Sequence, residues 1–287
     1  MERREYMTDQ DLFFNYCLWE YQPQVSFANK LRSVNLLYHS FETTCADARM
    51  FDLVSAIRRA IGLSMTVWGL KYSRNKIGWE FYFYDYRRRE RESSMSRVIA
   101  AMEPFISVCN VPVNENYHYF MFSIDIDNDL VSGSRSLDEI HMYIGNPGST
   151  VSSGICYSRT GLGSRLENFY FFFDAKRQLD DVQAKICCSA HIGAAVIDMD
   201  QILWPELREC RTICMANKQQ SDCIYFSGIH VDQLIFFLRK LQYPAELCAF
   251  VEDNRARLDH LQYDVGFDYR MAGDLLTIEK SGYYGIF

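Results

Sequence analysis

The stretch TVWGLKYSRNKIGWEFYFYDYRRR, residues 66–89, decides how this chain folds. Two runs rich in β-branched and aromatic residues flank the polar turn Ser73-Arg74-Asn75-Lys76, the pattern of a β-hairpin. In the second run Glu80, Tyr82, Tyr84 and Tyr86 fall on one face, and Trp79, Phe81 and Phe83 on the other, because side chains alternate along a strand. One face is apolar enough to lie under helices. The other joins aromatic rings to hydroxyls and a carboxylate, which suits the wall of a cavity better than a dry core.

The same grammar returns four times. Residues 117–126 pair with 139–144 around a long turn, 127–138, rich in Ser, Asp and Gly. Residues 152–159 pair with 166–173, 211–218 with 223–227, and 261–270 with 275–280 around Ala272-Gly273-Asp274. Residues 281–287 read as a tail. Helical spacing of apolar residues covers 27–41, 93–106, 179–190, 232–241 and 244–258. A further helix follows Asp47 and stops at Gly62, and a short one through Leu12-Phe13-Phe14 is capped by Asp9 or Asp11. The connection 146–150, which holds Asn146-Pro147-Gly148-Ser149, has no room for a helix.

Bulk properties narrow the class. The 287 residues are 48% hydrophobic and 23% charged, as expected of a globular domain. The 15% aromatic content, with 19 Tyr and 20 Phe, is high, and so many phenols need a large, partly polar interior. A net charge of −7 argues against general nucleic-acid binding. No run is long enough to cross a membrane, and no secretory segment opens the chain. The ten cysteines are spread out and without C-x-x-C spacing, so the expected location is the cytoplasm, with free thiols. No P-loop, dinucleotide fingerprint or nucleophile elbow is present. The six histidines are scattered, and only His118 and His141 could meet, across the second hairpin.

About ten antiparallel strands rarely stay an open sheet. The expected fold is therefore α+β: an antiparallel β-barrel of hairpins clothed by outer helices, in one domain over 1–287. Residues 1–62 form a helical region packed on the barrel. Ten strands leave a lumen wide enough for a ligand. In such a barrel the first strands of all hairpins run the same way, so their C-terminal ends meet at one rim. That rim receives Lys71 and Tyr72, Arg159, Lys218, and Tyr269 with Arg270. The second hairpin brings carboxylates instead, and Asp125 and Asp127 could hold a Mg²⁺. Cations beside an aromatic lumen would grip a diphosphate head and enclose a carbocation.

Gly69-Leu70-Lys71-Tyr72 with Trp79-Glu80-Phe81-Tyr82, Ala216-Asn217-Lys218 with Ile224-Tyr225-Phe226, and Phe267-Asp268-Tyr269-Arg270 resemble the strands of the ABBA-fold aromatic prenyltransferases. The helix-free connection at 146–150 and the N-terminal helical sequence depart from that family's regular repeat. The resemblance implies a transferase of secondary metabolism that moves an isoprenoid group from its diphosphate to an aromatic or other electron-rich acceptor, small molecule or peptide. It implies Lys71, Arg159, Lys218, Arg270, Tyr72, Tyr225 and Tyr269 as diphosphate ligands, and Tyr82, Tyr84 and Tyr170 as cavity aromatics. Glu80 or Glu167 would orient the acceptor or take its proton, with a raised pKa. Two other readings stand beside it: a non-enzymatic barrel for a hydrophobic or aromatic small molecule, and an interaction scaffold.

Overall fold

The computed structural model describes residues 3–11, 21–63, 66–85, 91–147, 149, 151–192 and 198–287. The helix expected through Leu12-Phe13-Phe14, and Tyr86, lie outside the described residues. The strands are β1 (Thr66–Ser73), β2 (Lys76–Tyr84), β3 (Tyr119–Ile126), β4 (Glu139–Gly145), β5 (Ser152–Thr160), β6 (Gly163–Asp174), β7 (Thr212–Lys218), β8 (Asp222–Ile229), β9 (Tyr263–Ala272) and β10 (Leu275–Ile286). They close into one barrel in the order β1-β10-β9-β8-β7-β6-β5-β4-β3-β2, every pair antiparallel. The α+β barrel read from the hairpins is the fold observed.

The first hairpin turns through Arg74 and Asn75, with φ of 49° and 62°. Two successive left-handed residues match the right-handed twist of the flanking strands. Closure depends on residues read as a tail. Instead of ending near Lys280, β10 runs on to Ile286 and pairs with β1 in the register Val67↔Ile286 to Tyr72↔Ser281. Gly285 faces Trp68 and Ser33, where a Cβ would overlap both, so the glycine permits close packing there.

Helices fill the gaps between hairpins: α1 (Val34–Thr43) and α2 (Arg49–Ile61) before β1, α3 (Met95–Met102) before β3, and α4 (Asn128–Ser132) inside the second hairpin. Further on come α5 (Leu179–Cys187), α6 (Val231–Lys240), α7 (Ala245–Asp253) and α8 (Arg255–Leu258). The first begins later than its apolar spacing suggests, because Leu31 bridges Tyr6 and donates its N–H to the Arg257 carbonyl. Gly62, with φ of 93°, ends α2 as expected. Among the described residues no helix is long and apolar enough to cross a membrane.

The dry core lies between strands and helices. Trp68, Leu70, Trp79, Phe81, Phe83, Phe122, Ile124, Ile224 and Phe267 face outward and are buried. Trp79 donates its indole N–H to Ser40 Oγ at 2.8 Å and meets Phe41 edge-on, which docks α1 on the first hairpin. The helix-free 146–150 connection has a visible consequence. The outward side chains of β5 and β6, among them Ile155, Tyr157 and Phe171, are only half-buried, and Phe169 is 39% exposed.

Candidate active site

Every second side chain faces the lumen, and these residues sort into three layers along the barrel axis. The middle layer is a closed ring of tyrosines, one from the second strand of each hairpin. Successive ring centroids are 6.3 Å (Tyr82–Tyr143), 5.8 Å (Tyr143–Tyr170), 6.5 Å (Tyr170–Tyr225), 6.1 Å (Tyr225–Tyr284) and 5.9 Å (Tyr284–Tyr82) apart. A pentagon of that side puts each centroid about 5 Å from its centre, inside the ~6 Å reach of cation–π attraction. Glycine makes room for it. Gly69 and Gly266 are the register partners of Tyr284 and Tyr225, and a Cβ at Gly69 would sit 2.6 Å from the Tyr284 ring.

The hydroxyls tie into the layer above. Tyr82 donates to Glu80 at 2.6 Å, Asn168 donates to Tyr170 at 2.9 Å, and Tyr143 lies 3.3 Å from Ser123 Oγ. Burial pushes all five phenols well above their ordinary value, so they keep their protons.

The upper layer, toward the rim of hairpin turns, encloses a chamber of 670 Å³. Three lysines open onto it: Lys71, Lys218 and Lys280. Lys71 lies 2.6 Å from Glu80 and 2.5 Å from Asp125, and Lys218 lies 2.7 Å from Asp268. The nearest carboxylate to Lys280 is Asp268, at 3.9 Å and already held by Lys218. The electrostatics follow. Burial would lower the Lys71 and Lys218 ammonium groups, but their carboxylates, with the Cys223 thiol beside Lys218, raise both. Lys280 goes the other way: burial, then repulsion from Lys218 and Lys71, pulls it below the usual lysine range. Among the described residues lining the chamber, it is the lysine whose nearest carboxylate lies farthest away.

Glu80 behaves differently from the sequence expectation of a raised pKa. Burial would raise it, but Lys71, then His141, and hydrogen bonds from Lys71 and Ser123 hold it well below the usual carboxylate range. It is an ionised acceptor, reached also by the Ser123 hydroxyl.

The lower layer is a smaller chamber of 110 Å³ under the ring, walled by Val67, Tyr84, Phe120, Met121 and Phe172, with Cys214, Ser227 and Asp264.

Of the residues singled out from sequence, Lys71, Glu80, Tyr82, Asp125, Glu167, Tyr170, Lys218 and Tyr225 line the upper chamber, and Tyr84 the lower. Tyr72, Arg159 and Tyr269 do not face it. Tyr72 packs on Tyr243 outside the barrel, 4.6 Å between centroids. Tyr269 is buried against Phe267 in the outer core. The Arg159 guanidinium lies over Tyr117 at 4.6 Å. Arg270 stays at the rim, paired with Glu279 at 2.5 Å, and Glu167 is paired with Arg165 at 2.6 Å. Asp125 and Asp127, the carboxylates read as able to hold a Mg²⁺, are engaged by side chains and backbone: Lys71 holds the first, and the second caps α4 and is clasped by Arg135 at 3.0 Å. Among the described residues no group of three or more His, Cys, Asp and Glu could hold a metal ion. His118 precedes β3, and His141 faces Ser123 across the hairpin instead. The described cysteines are free thiols.

Sequence reading missed Tyr143, Tyr284, Lys280 and Asp268. The signal was the alternation that marked Glu80 and Tyr82: Lys280-x-Gly282-x-Tyr284 and Asp264-x-Gly266-x-Asp268 repeat it.

In comparisons with known proteins, no family model matches this chain and no curated protein does.

Proposed function

We propose that this barrel transfers an isoprenoid group from its diphosphate to an electron-rich aromatic acceptor, a small molecule or a peptide side chain, inside the lumen. The observation that carries the reading is Lys280, an under-neutralised cation beside Lys71 and Lys218, directly above a closed ring of five neutral tyrosines. An anion placed among the lysines relieves their mutual repulsion. A cation placed at the ring centre lies within cation–π distance of five tyrosine rings.

The chemistry follows from that stacking. The allylic C1–O bond breaks heterolytically, and its electron pair leaves with the diphosphate, whose charge the lysines offset. The allylic cation is left within the ring, where rings rather than water surround it. Because the phenols stay protonated, the ring is a poor competitor for the cation. The acceptor attacks C1 and sheds a proton. Glu80 is a weak base, yet an arenium or oxonium proton is acidic enough for it to take.

Thermal unfolding in the presence of a C5 isoprenoid diphosphate, or of the matching alcohol, tests the reading. The diphosphate is expected to raise the melting temperature and the alcohol to leave it nearly unchanged. Equal shifts would indicate a barrel for apolar ligands, and no shift from either would indicate a scaffold. The diphosphate shift is expected to survive a chelator, since lysines supply the counter-charge. Its loss in EDTA would assign that role to a divalent cation.

A further inference from the structure

We infer that the lumen also takes a stable zwitterion, a phosphate ester of a quaternary amino alcohol such as phosphocholine, with its trimethylammonium at the centre of the tyrosine ring and its phosphate beside Lys280. The inference goes beyond the transferase reading and does not rest on it, since it needs only the placement of rings and charges.

The ring is the common wall of the two chambers: all five of its tyrosines line the upper one, and all five line the lower. Its centre lies about 5 Å from each centroid, within cation–π distance of every ring. The phenols keep their protons, so this neck between the chambers is neutral. Its hydroxyls are also in use, since Tyr82 donates to Glu80 and Tyr170 accepts from Asn168. A primary ammonium at the centre would give up water and leave its N–H groups short of acceptors. A methylated one carries its charge with no N–H to satisfy. The neck therefore favours the quaternary group.

The upper chamber selects what is joined to that group. Its cations are Lys71, Lys218, Lys280 and Arg165. Its carboxylates are Glu80, Asp125, Asp268 and Glu167, so apart from His141 the two signs balance. A ligand that carries both signs keeps that balance. The charges are not evenly placed, however. Lys280 lies 3.9 Å from Asp268, which Lys218 already holds at 2.7 Å. Glu80 is one lumen position above Tyr82 and accepts its hydroxyl, which puts a carboxylate at the upper edge of the ring. The seat for an anion is thus high, beside Lys280, and the seat for a cation low, under Glu80. Successive lumen positions are about 7 Å apart along a strand, so a short flexible spacer such as the two carbons of choline joins the seats.

The test uses the full chain and calorimetry with phosphocholine, phosphoethanolamine and 3,3-dimethylbutyl phosphate, which replaces the quaternary nitrogen by carbon and keeps its shape. Phosphocholine is expected to bind about tenfold more tightly than the carbon isostere, and more tightly than phosphoethanolamine. Tyr143→Leu is expected to shrink the preference and Tyr143→Phe to keep it. Lys280→Met should weaken all three esters alike and leave their ratios unchanged. Equal binding of phosphocholine and the carbon isostere by the wild type, or no binding of either, would overturn the inference. Should Tyr143→Leu fail to fold, the wild-type comparison alone decides. Given that preference, co-sedimentation with phosphatidylcholine vesicles would assign a lipid headgroup as the source of the ligand, and its absence the free ester. A phosphocholine preference found without any thermal shift from isoprenoid diphosphate would leave this site standing and reject the transferase reading; the reverse pattern would reject this inference alone.

Discussion

Glu80 and Phe81 are neighbours in one strand, yet the two faces of the barrel wall to which they belong are held together differently. Phe81 faces outward into hydrocarbon, edge-on to Phe287 at 5.0 Å, and is fully buried. Glu80 faces inward and is just as hidden from water, but Lys71, Ser123 and Tyr82 hold it. The outer face is close-packed and tolerates little loss of volume. The inner face is a set of polar and aromatic groups around empty space, where charge balance counts for more than volume. Stability is therefore expected to reside mainly outside, and ligand chemistry inside, except where an inner charge is fully paired.

Phe81→Ala is expected to cost about 3–5 kcal/mol in urea unfolding, the usual result of truncating a buried aromatic. A cost near that of a surface substitution would break the comparison. Lys71→Met tests the exception. It strands Glu80 without its counter-charge, and breaking a buried pair costs roughly 3–5 kcal/mol. The double change Lys71→Met, Glu80→Gln should recover most of that loss, and a failure to recover would mean that packing rather than charge is what Lys71 supplies.

Lys280→Met should separate the two properties. The barrel already disfavours the Lys280 charge, so stability should hold, while diphosphate affinity falls about tenfold to a hundredfold. The pH dependence carries a sign. Because the Lys280 pKa is lowered in the free barrel, it becomes neutral earlier than an ordinary lysine as pH rises. An anion favours the charged form, so affinity should decline with rising pH below the normal lysine range of 10.5, with proton uptake on binding. Lys280→Met should flatten that decline; a profile unchanged by it would assign the titration to another group.

A pH effect on stability is expected in the outer layer. Burial, then the Lys30 charge, lowers His260 from 6.5 to about 4. Its folded pKa is below its unfolded one, so the stability it contributes is complete above 6.5 and is lost as pH falls from there toward 4. His260→Gln should remove that part of the slope in acid unfolding curves.

The errors in reading the site share one cause. Lys71 and Tyr72, and likewise Tyr269 and Arg270, are adjacent in a strand, and assigning both members of each pair to one lumen overlooks the period of two that marked the barrel wall in the first place. Tyr72 and Tyr269 accordingly went to the helices. Arg159 was lost by the same rule: it shares the outward face of β5 with Ile155 and Tyr157, and its guanidinium lies over Tyr117 rather than in the chamber.

Residue order alone determined the hairpins, the helices between them and the apolar and hydroxylated faces of the first hairpin, because these depend on local alternation and turn chemistry. It also determined that the first strands end at one rim, since connectivity alone dictates that for an up-and-down barrel. Only the closed structure decided that 281–286 is the last stave, that five tyrosines far apart in the chain form one ring, and that Lys280 stands farthest of the three chamber lysines from a carboxylate. Those facts depend on which strands become neighbours when β10 meets β1, and on the electrostatic balance of side chains that meet only inside the tube. No local pattern encodes either.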